Sequence, residues 1–578
     1  MSARLSHRLN SYGLDALCLS LVLVGGGLLA VWVLTQVRAF ADYPAGFDEA
    51  VHLLPALQLA YDLRVGQWAD FAGHTYTQDA IALYPFVHAW LVTPFFLFIA
   101  PEVTVGRATG LFFLWLTFGG SYLVGREAHW REGDPNGARL AGMISAISGM
   151  VALPLWVYAS VAYVEAAGLL ITVVGWWCYL RAGSDATRPG WLTATSLALA
   201  TALLTKYSFG VFMVGGVVLA EIVNGLTQRK LPSLRRWVYL FLPFGLIALG
   251  WFSGSGKWER FWTYSQAQQT TGVFWSFENL GFYPRSLWQH YASGPLQQIL
   301  LISGLGLSLV RWRSAGPRLL LSYALVSNLV LLTIPQKEMR FVFIVAPALY
   351  PGVGSAVVEI GRWVWRQVTL PSARLGLSAL LIIALVVEAR AVSWRFSFFT
   401  PALETAYTSP PVVRQIYRWI EAATLLQGVR PHLMNEWYML SAYGLNWDYY
   451  SLTGGSPAEY HYQLASGGLA PEPTPEQLEA LATRLTQMAP SAIVSIDGAP
   501  AGNYTSWQVV EPLLARGDLE TYPDEPTFTI LQWPATYWER VMAGDFADWA
   551  EFTQVRQAQR AEFSITLHLY FWRSTQPQ

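Results

Sequence analysis

Asp48 and Glu49 are adjacent carboxylates just beyond the first long apolar stretch of the chain, between Tyr43 and His52. A charged pair that close to hydrocarbon is costly unless it is hydrated, paired or working. The first loop, which holds them, is therefore the candidate reaction site. The plain alternative is that both acids favour the start of a helix, where anions are stabilised. That helix is expected over Phe47 to Leu63, because Val51, Leu54, Leu57 and Tyr61 fall at helical spacing. Such an amphipathic segment would lie flat on the membrane. The stretch 38–80 also carries Asp42, His52, Asp62, Arg64, Asp70, His74 and Asp79.

A second constellation is Lys337, Glu338 and Arg340, squeezed between two apolar segments. Lys337 and Arg340 could clamp a phosphate, with Glu338 holding one of them. The plain alternative is anchoring by snorkelling side chains. Glu165 and Lys206 stand alone at segment boundaries, and each could be structural. Loop 252–294 mixes Lys257, Glu259, Arg260, Arg285 and His290 with many aromatics. It reads as a lid, a groove wall or an interfacial aromatic belt.

The elements that must position these groups are apolar. The chain has 578 residues, 53% hydrophobic and 13% charged, against roughly 25% charged in soluble proteins. Twelve apolar segments occur between residues 14 and 390, many near the ~20 residues that cross a bilayer. Arg4, His7 and Arg8 ahead of a retained first helix predict a cytoplasmic N-terminus. The basic loops read as cytoplasmic, and from residue 139 onward they place Glu165, the Lys206 turn, loop 252–294 and the 335–340 turn on the outer side. An outer C-terminal region then needs an odd number of crossings. Eleven is preferred and thirteen is the reserve, with the segment holding Pro85 and Pro94 re-entrant or interfacial.

Residues 391–578 read as a soluble α/β domain outside the membrane. Patches at 491–496 and 527–531 are expected strands. Thr474 is the expected N-cap of a helix that has Pro475 at its first position. Net charge is −1, without a long basic run, and nothing points to nucleic acid. Cys18 and Cys178 lie in apolar stretches and read as core thiols. No Cys/His cluster has metal-binding spacing.

Asp48-Glu49 after the first helix, Tyr84-Pro85 opening the next apolar segment, Glu165, Lys206 and the Lys337–Phe341 turn resemble the polytopic GT-C glycosyltransferases. The branch they most resemble is that of protein O-mannosyltransferases and aminoarabinose transferases. The resemblance covers residues 1–390, with 38–80 as the catalytic loop. Tyr84-Pro85-Phe86 lacks the family's usual double proline.

The resemblance implies a polyprenyl-phosphate-linked sugar donor and transfer to an acceptor hydroxyl of a protein, lipid or glycan. Transfer would occur on the extracytoplasmic face of a cell membrane, with inversion. It makes Asp48 the candidate base, with Glu49 assisting or orienting it. Lys337, Arg340 and, more weakly, Lys206 become donor-phosphate ligands. His52, Tyr84, Glu165 and Glu338 become pocket residues, and Asp48 and Glu165 candidates to hold a divalent ion. Two other classes stay open: a transporter or flippase for a lipid-linked substrate, and a membrane-anchored scaffold.

Overall fold

The computed structural model describes residues 2–81, 84–129, 133–183, 188–229, 232–267, 276–334, 337–368, 370–407, 411–424, 429–434, 440–453, 463–464, 474–488, 492–497 and 504–573. Helices dominate. The first is α1 (Ser2–Arg38), followed by α2 (Phe47–Arg64), α3 (Trp68–Ile81) and α4 (Val87–Phe98). Next come α5 (Val103–Ala128), α6 (Pro135–Met150), α7 (Leu153–Ser160), α8 (Glu165–Ala182), α9 (Pro189–Thr205), α10 (Tyr207–Gln228) and α11 (Leu234–Phe252). After α12 (Lys257–Ala267), α13 (Phe277–Ser286) and a π turn, Leu287–Tyr291, the chain enters α14 (Pro295–Val310) and α15 (Ala315–Leu332). A 3₁₀ stretch, Met339–Ile344, leads to α16 (Tyr350–Gln367), α17 (Pro371–Ser397) and α18 (Phe399–Ala406).

Among the described residues, five helices are long and apolar enough to cross a bilayer, and up to seven spans result if two bent pairs are each counted as one. One bent pair is α6 with α7, turned by 60° at Val151-Ala152, just before Pro154. The other is Met339–Ala348 with α16, turned by 44°. Both fall where the sequence reads one continuous apolar segment. α4 has only 12 residues. At ~1.5 Å per residue it is too short to cross alone.

Small residues let the spans approach closely. A Cβ on Gly110 of α5 would lie 2.1 Å from the Ala159 carbonyl oxygen of α7. That approach brings the end of α7 against the face of α5 that also carries Arg107.

α2 is a helix, as its spacing predicts, but it does not lie on lipid. Every residue from Ala50 to Ala60 is buried. α4 packs on one side, and α20 (Ala442–Thr453) from the C-terminal region packs on another. Trp447 of α20 meets Phe96 of α4 with ring centroids 5.5 Å apart. The apolar stripe that suggested a membrane surface is spent on protein instead.

The C-terminal region adds α19 (Pro411–Ala423), α21 (Pro475–Met488), α22 (Tyr504–Ala515), α23 (Ala535–Ala543) and α24 (Trp549–Ala558) around one sheet. Its strands are β1 (Pro431–Leu433), β2 (Gln463–Leu464), β3 (Ala492–Asp497), β4 (Leu519–Thr521), β5 (Thr527–Gln532) and β6 (Ala561–Trp572). The order is β2-β1-β3-β6-β4, with β5 also paired to β6. β1 runs parallel to β2 and β3, while β6 is antiparallel to β3, β4 and β5.

Alternation in β3 sends Ala492, Val494 and Ile496 into one apolar cluster with α19, and Ile493 into another with α21 and α22. Thr474 caps α21 as its sequence predicts: its Oγ1 accepts from the Gln477 N–H at 3.3 Å, and its own N–H donates to Gln477 Oε1 at 2.9 Å. Trp447, Val541 and Phe552 belong to the same apolar core as the long helices. The region after 390 is therefore packed onto the helical part.

Candidate active site

Asp48 and Glu49 share the first turn of α2 and point to different partners. Glu49 is buried. Its Oε1 and Oε2 accept from Arg107 Nε and Nη2, each at 2.9 Å. They also accept the Ala162 and Gly46 backbone N–H groups, each at 3.2 Å. Arg107 has no exposed surface. Its Nη1 donates to the Phe40 carbonyl at 2.9 Å, and its guanidinium stacks 4.1 Å over the Tyr407 ring. The Tyr407 hydroxyl donates to the Ser160 carbonyl at 2.8 Å. One ion pair thus joins the end of α1, the start of α2, α5, the α7–α8 turn and the chain leaving α18. With all its lone pairs engaged, Glu49 is placed to fix the backbone that presents Asp48.

Asp48 is partly open to solvent. Its Oδ2 accepts from Arg340 Nη1 at 2.5 Å, across 292 positions of chain. Glu338 forms an ion pair with the same guanidinium. Arg340 also lies 5.2 Å over the Tyr163 ring. Side-chain exposures of 18% for Arg340, 23% for Asp48 and 25% for Glu338 leave this triad reachable from outside. One cation therefore serves two carboxylates. Burial, reinforced by the neighbouring charges of Asp48 and Glu165 and opposed by Arg340, holds the Glu338 carboxyl above the usual glutamate range.

A second pair lies alongside. Lys206, at the break between α9 and α10, donates from Nζ to Glu165 Oε1 at 3.0 Å. The Lys206 ammonium sits 5.1 Å from the Tyr84 ring centroid. Glu165 Oε2 is buried and has no hydrogen-bond partner among the described residues. His52, one turn after Asp48, packs its ring 4.9 Å from Tyr84, 5.6 Å from His88 and 6.4 Å from Tyr163. Burial first, then the charges of Lys206 and Arg340, hold His52 down to about 3 against the opposing pull of Glu165, so the ring is neutral. Tyr163 touches both the Arg340 triad and His52, and so joins the two pairs into one cluster.

Lys337 is engaged elsewhere. Its Nζ donates to the Leu331 and Leu332 carbonyls at 3.0 and 3.1 Å, and it sits 5.4 Å over Tyr283. It caps the C-terminal end of α15, where a cation is favoured. Pro335 and Gln336 of the same turn lie outside the described residues. Loop 252–294 reaches the site at its end, where the Tyr291 hydroxyl donates to the Met339 carbonyl at 3.0 Å.

The donor set does not fit a divalent ion on Asp48 and Glu165. Asp48 faces Arg340 and Glu165 faces Lys206, so a cation already stands where the metal would. Among the described residues, no three His, Cys, Asp or Glu side chains gather into a metal-holding group.

Arg107, Tyr163 and Tyr407 are not singled out by the sequence reading. Arg107 alone carried a usable signal, as the one charge inside the apolar segment 105–124.

No family model and no curated protein sequence matches the chain. Solved structures do. The Archaeoglobus fulgidus oligosaccharyltransferase, solved in the apo form and tethered to an acceptor peptide, is 12% identical, with a TM-score of 0.52 over 82% of this chain and 69% of that one. The chain shares the fold of that oligosaccharyltransferase. ArnT from Cupriavidus metallidurans, solved bound to undecaprenyl phosphate, is 14% identical over 96% of this chain and 99% of that one, with a TM-score of 0.45. In this chain the acidic first turn, the Lys206–Glu165 pair and the Arg340 turn stand in one cluster.

Proposed function

We propose that this chain is a membrane glycosyltransferase that moves a sugar from a polyprenyl-phosphate donor to an acceptor hydroxyl. The observation that carries the reading is the meeting of Asp48 with Arg340. A transfer of this kind needs a base on the attacking hydroxyl and positive charge where the phosphate departs. Asp48 and Arg340 supply both within one hydrogen bond. Two of the five Arg340 nitrogen-bound protons can turn to a phosphate without abandoning Asp48, since the guanidinium presents a planar fork.

In this reading Asp48 accepts the acceptor's proton as its oxygen bonds to the anomeric carbon. The bond from that carbon to the donor phosphate breaks, and the electron pair leaves with the phosphate, next to Arg340 and Lys206. Glu338 balances Arg340 while the donor is absent. Glu165, Tyr84 and neutral His52 shape the sugar pocket, with Glu165 Oε2 free to accept from a sugar hydroxyl. Glu49, through Arg107, positions Asp48. Lys337 supports the turn that carries Arg340. The site faces the extracytoplasmic side of a cell membrane, with the N-terminus cytoplasmic and the region after 390 outside. Residues 1–390 form the catalytic part and 391–578 an outer α/β domain.

The direct test supplies the purified chain with a panel of polyprenyl-phosphate sugars and follows release of free polyprenyl phosphate. Release that requires an acceptor supports transfer. Passage of an intact lipid-linked sugar across a proteoliposome, without bond cleavage, would instead identify a transporter.

A further inference from the structure

Away from the Asp48 cluster, a cavity of about 400 Å³ opens where the start of α14 meets the end of α17. Its walls include Trp288, Gln289, Gln298, Trp394, Arg395 and Asp545. The volume is within the range of small-ligand sites, ~300–1,000 Å³. The flanking helices present exposed apolar side chains: Ile299 and Ile302 of α14 are 61% and 60% exposed, and Leu381, Ile382 and Val386 of α17 are comparably open. The cavity thus stands at the polar end of an apolar surface, and its indoles are the side chains enriched at that depth.

The walls carry charges of both signs. Arg395 gives one N–H to the Ala292 carbonyl, and among the described residues no carboxylate lies within ion-pair distance of it. The nearby Glu388 is spent capping α14, accepting from the Leu296 and Gln297 N–H groups at 2.9 and 3.3 Å. Asp545, on the turn after α23, is 77% exposed and forms a long ion pair with Arg540 at 3.9 Å, which an incoming ammonium can share. Trp394 Nε1 donates to the Gly544 carbonyl at 3.2 Å, which ties the Asp545 turn to α17.

We propose that this cavity holds the headgroup of a phosphoethanolamine membrane lipid. Arg395 takes the phosphodiester, because a guanidinium matches phosphate oxygens bidentately. Asp545 takes the ammonium, whose N–H groups it can accept, and the indole faces attract the same charge. Gln289 and Gln298 supply amide N–H groups to the remaining oxygens, and the acyl chains run along α14 and α17. A choline headgroup has the same charges but no N–H for Asp545. A glycerol headgroup has no cation at all. The lipid holds the region after 390 against α14 and α17, independently of sugar transfer.

The test uses the full-length chain in mild detergent, incubated in turn with phosphatidylethanolamine, phosphatidylcholine and phosphatidylglycerol, and read by native mass spectrometry. One phosphatidylethanolamine should be retained at least tenfold better than either other lipid. Arg395→Gln should cut that retention at least tenfold, and Asp545→Asn should reduce it to the phosphatidylcholine level. Asp545 is exposed, so this second variant keeps the test valid if Arg395→Gln fails to fold. Equal retention of the three lipids, or a phosphatidylethanolamine preference that survives Asp545→Asn, would overturn the proposal.

Discussion

Arg107 and Glu49 form a fully buried bidentate ion pair, with both contacts at 2.9 Å. It holds the turn that presents Asp48, and neither buried charge has a second oppositely charged partner among its hydrogen bonds. Arg107→Ala should therefore cost about 3–5 kcal/mol of stability, the usual penalty for orphaning a buried charge. Thermal unfolding in detergent reads this as a large drop in midpoint. Removing both charges, as Arg107→Met with Glu49→Leu, should recover most of the midpoint but little activity, because the backbone N–H groups of Gly46 and Ala162 lose their acceptor.

Arg340→Lys should lower transfer by about 10²–10³-fold, as loss of an aligned charge-stabilising donor does. Lysine keeps the charge but cannot bond Asp48, Glu338 and a phosphate from one plane. Binding of a polyprenyl phosphate to Arg340→Lys, followed by native mass spectrometry, should weaken less than turnover does.

Glu421, on α19, gives a pH-dependent stability through groups outside the Asp48 cluster. Burial, together with the neighbouring Asp448 carboxylate, pushes it up to about 7 despite Arg418. A carboxyl raised on folding stabilises the fold fully below its unfolded value, and that contribution is lost as pH rises through its folded value. Relative to Glu421→Gln, the native chain should lose up to about 3 kcal/mol between roughly pH 4.5 and 7. Melting curves of the two proteins at pH 4 and pH 8 should show the variant gaining only at the higher pH.

The sequence made the site partly legible, because Asp48, Arg340, Glu165 and Lys206 are charges at the edges of apolar segments, where they are conspicuous. Arg107 was hidden because it sits inside such a segment and because its partner lies 58 positions away. The surroundings of α2 were misread for a related reason. Periodicity reveals a buried stripe but not what covers it, and α20 comes from a region some 400 positions further on. Lys337 and Arg340 looked alike in sequence. Only the carbonyl ends of α15 distinguish the capping lysine from the arginine that meets Asp48. The two bent helix pairs read as single segments because hydropathy averages over the break at Val151 and over the 3₁₀ stretch after Met339.

Asp48→Asn is the most direct measurement. The amide is isosteric and keeps an oxygen for Arg340, but it cannot take a proton from an attacking hydroxyl. Transfer from a polyprenyl-phosphate sugar should fall by about 10²–10⁴-fold, with the unfolding midpoint and polyprenyl-phosphate binding unchanged. Full turnover in the purified, folded variant would contradict the assignment of Asp48 as the base.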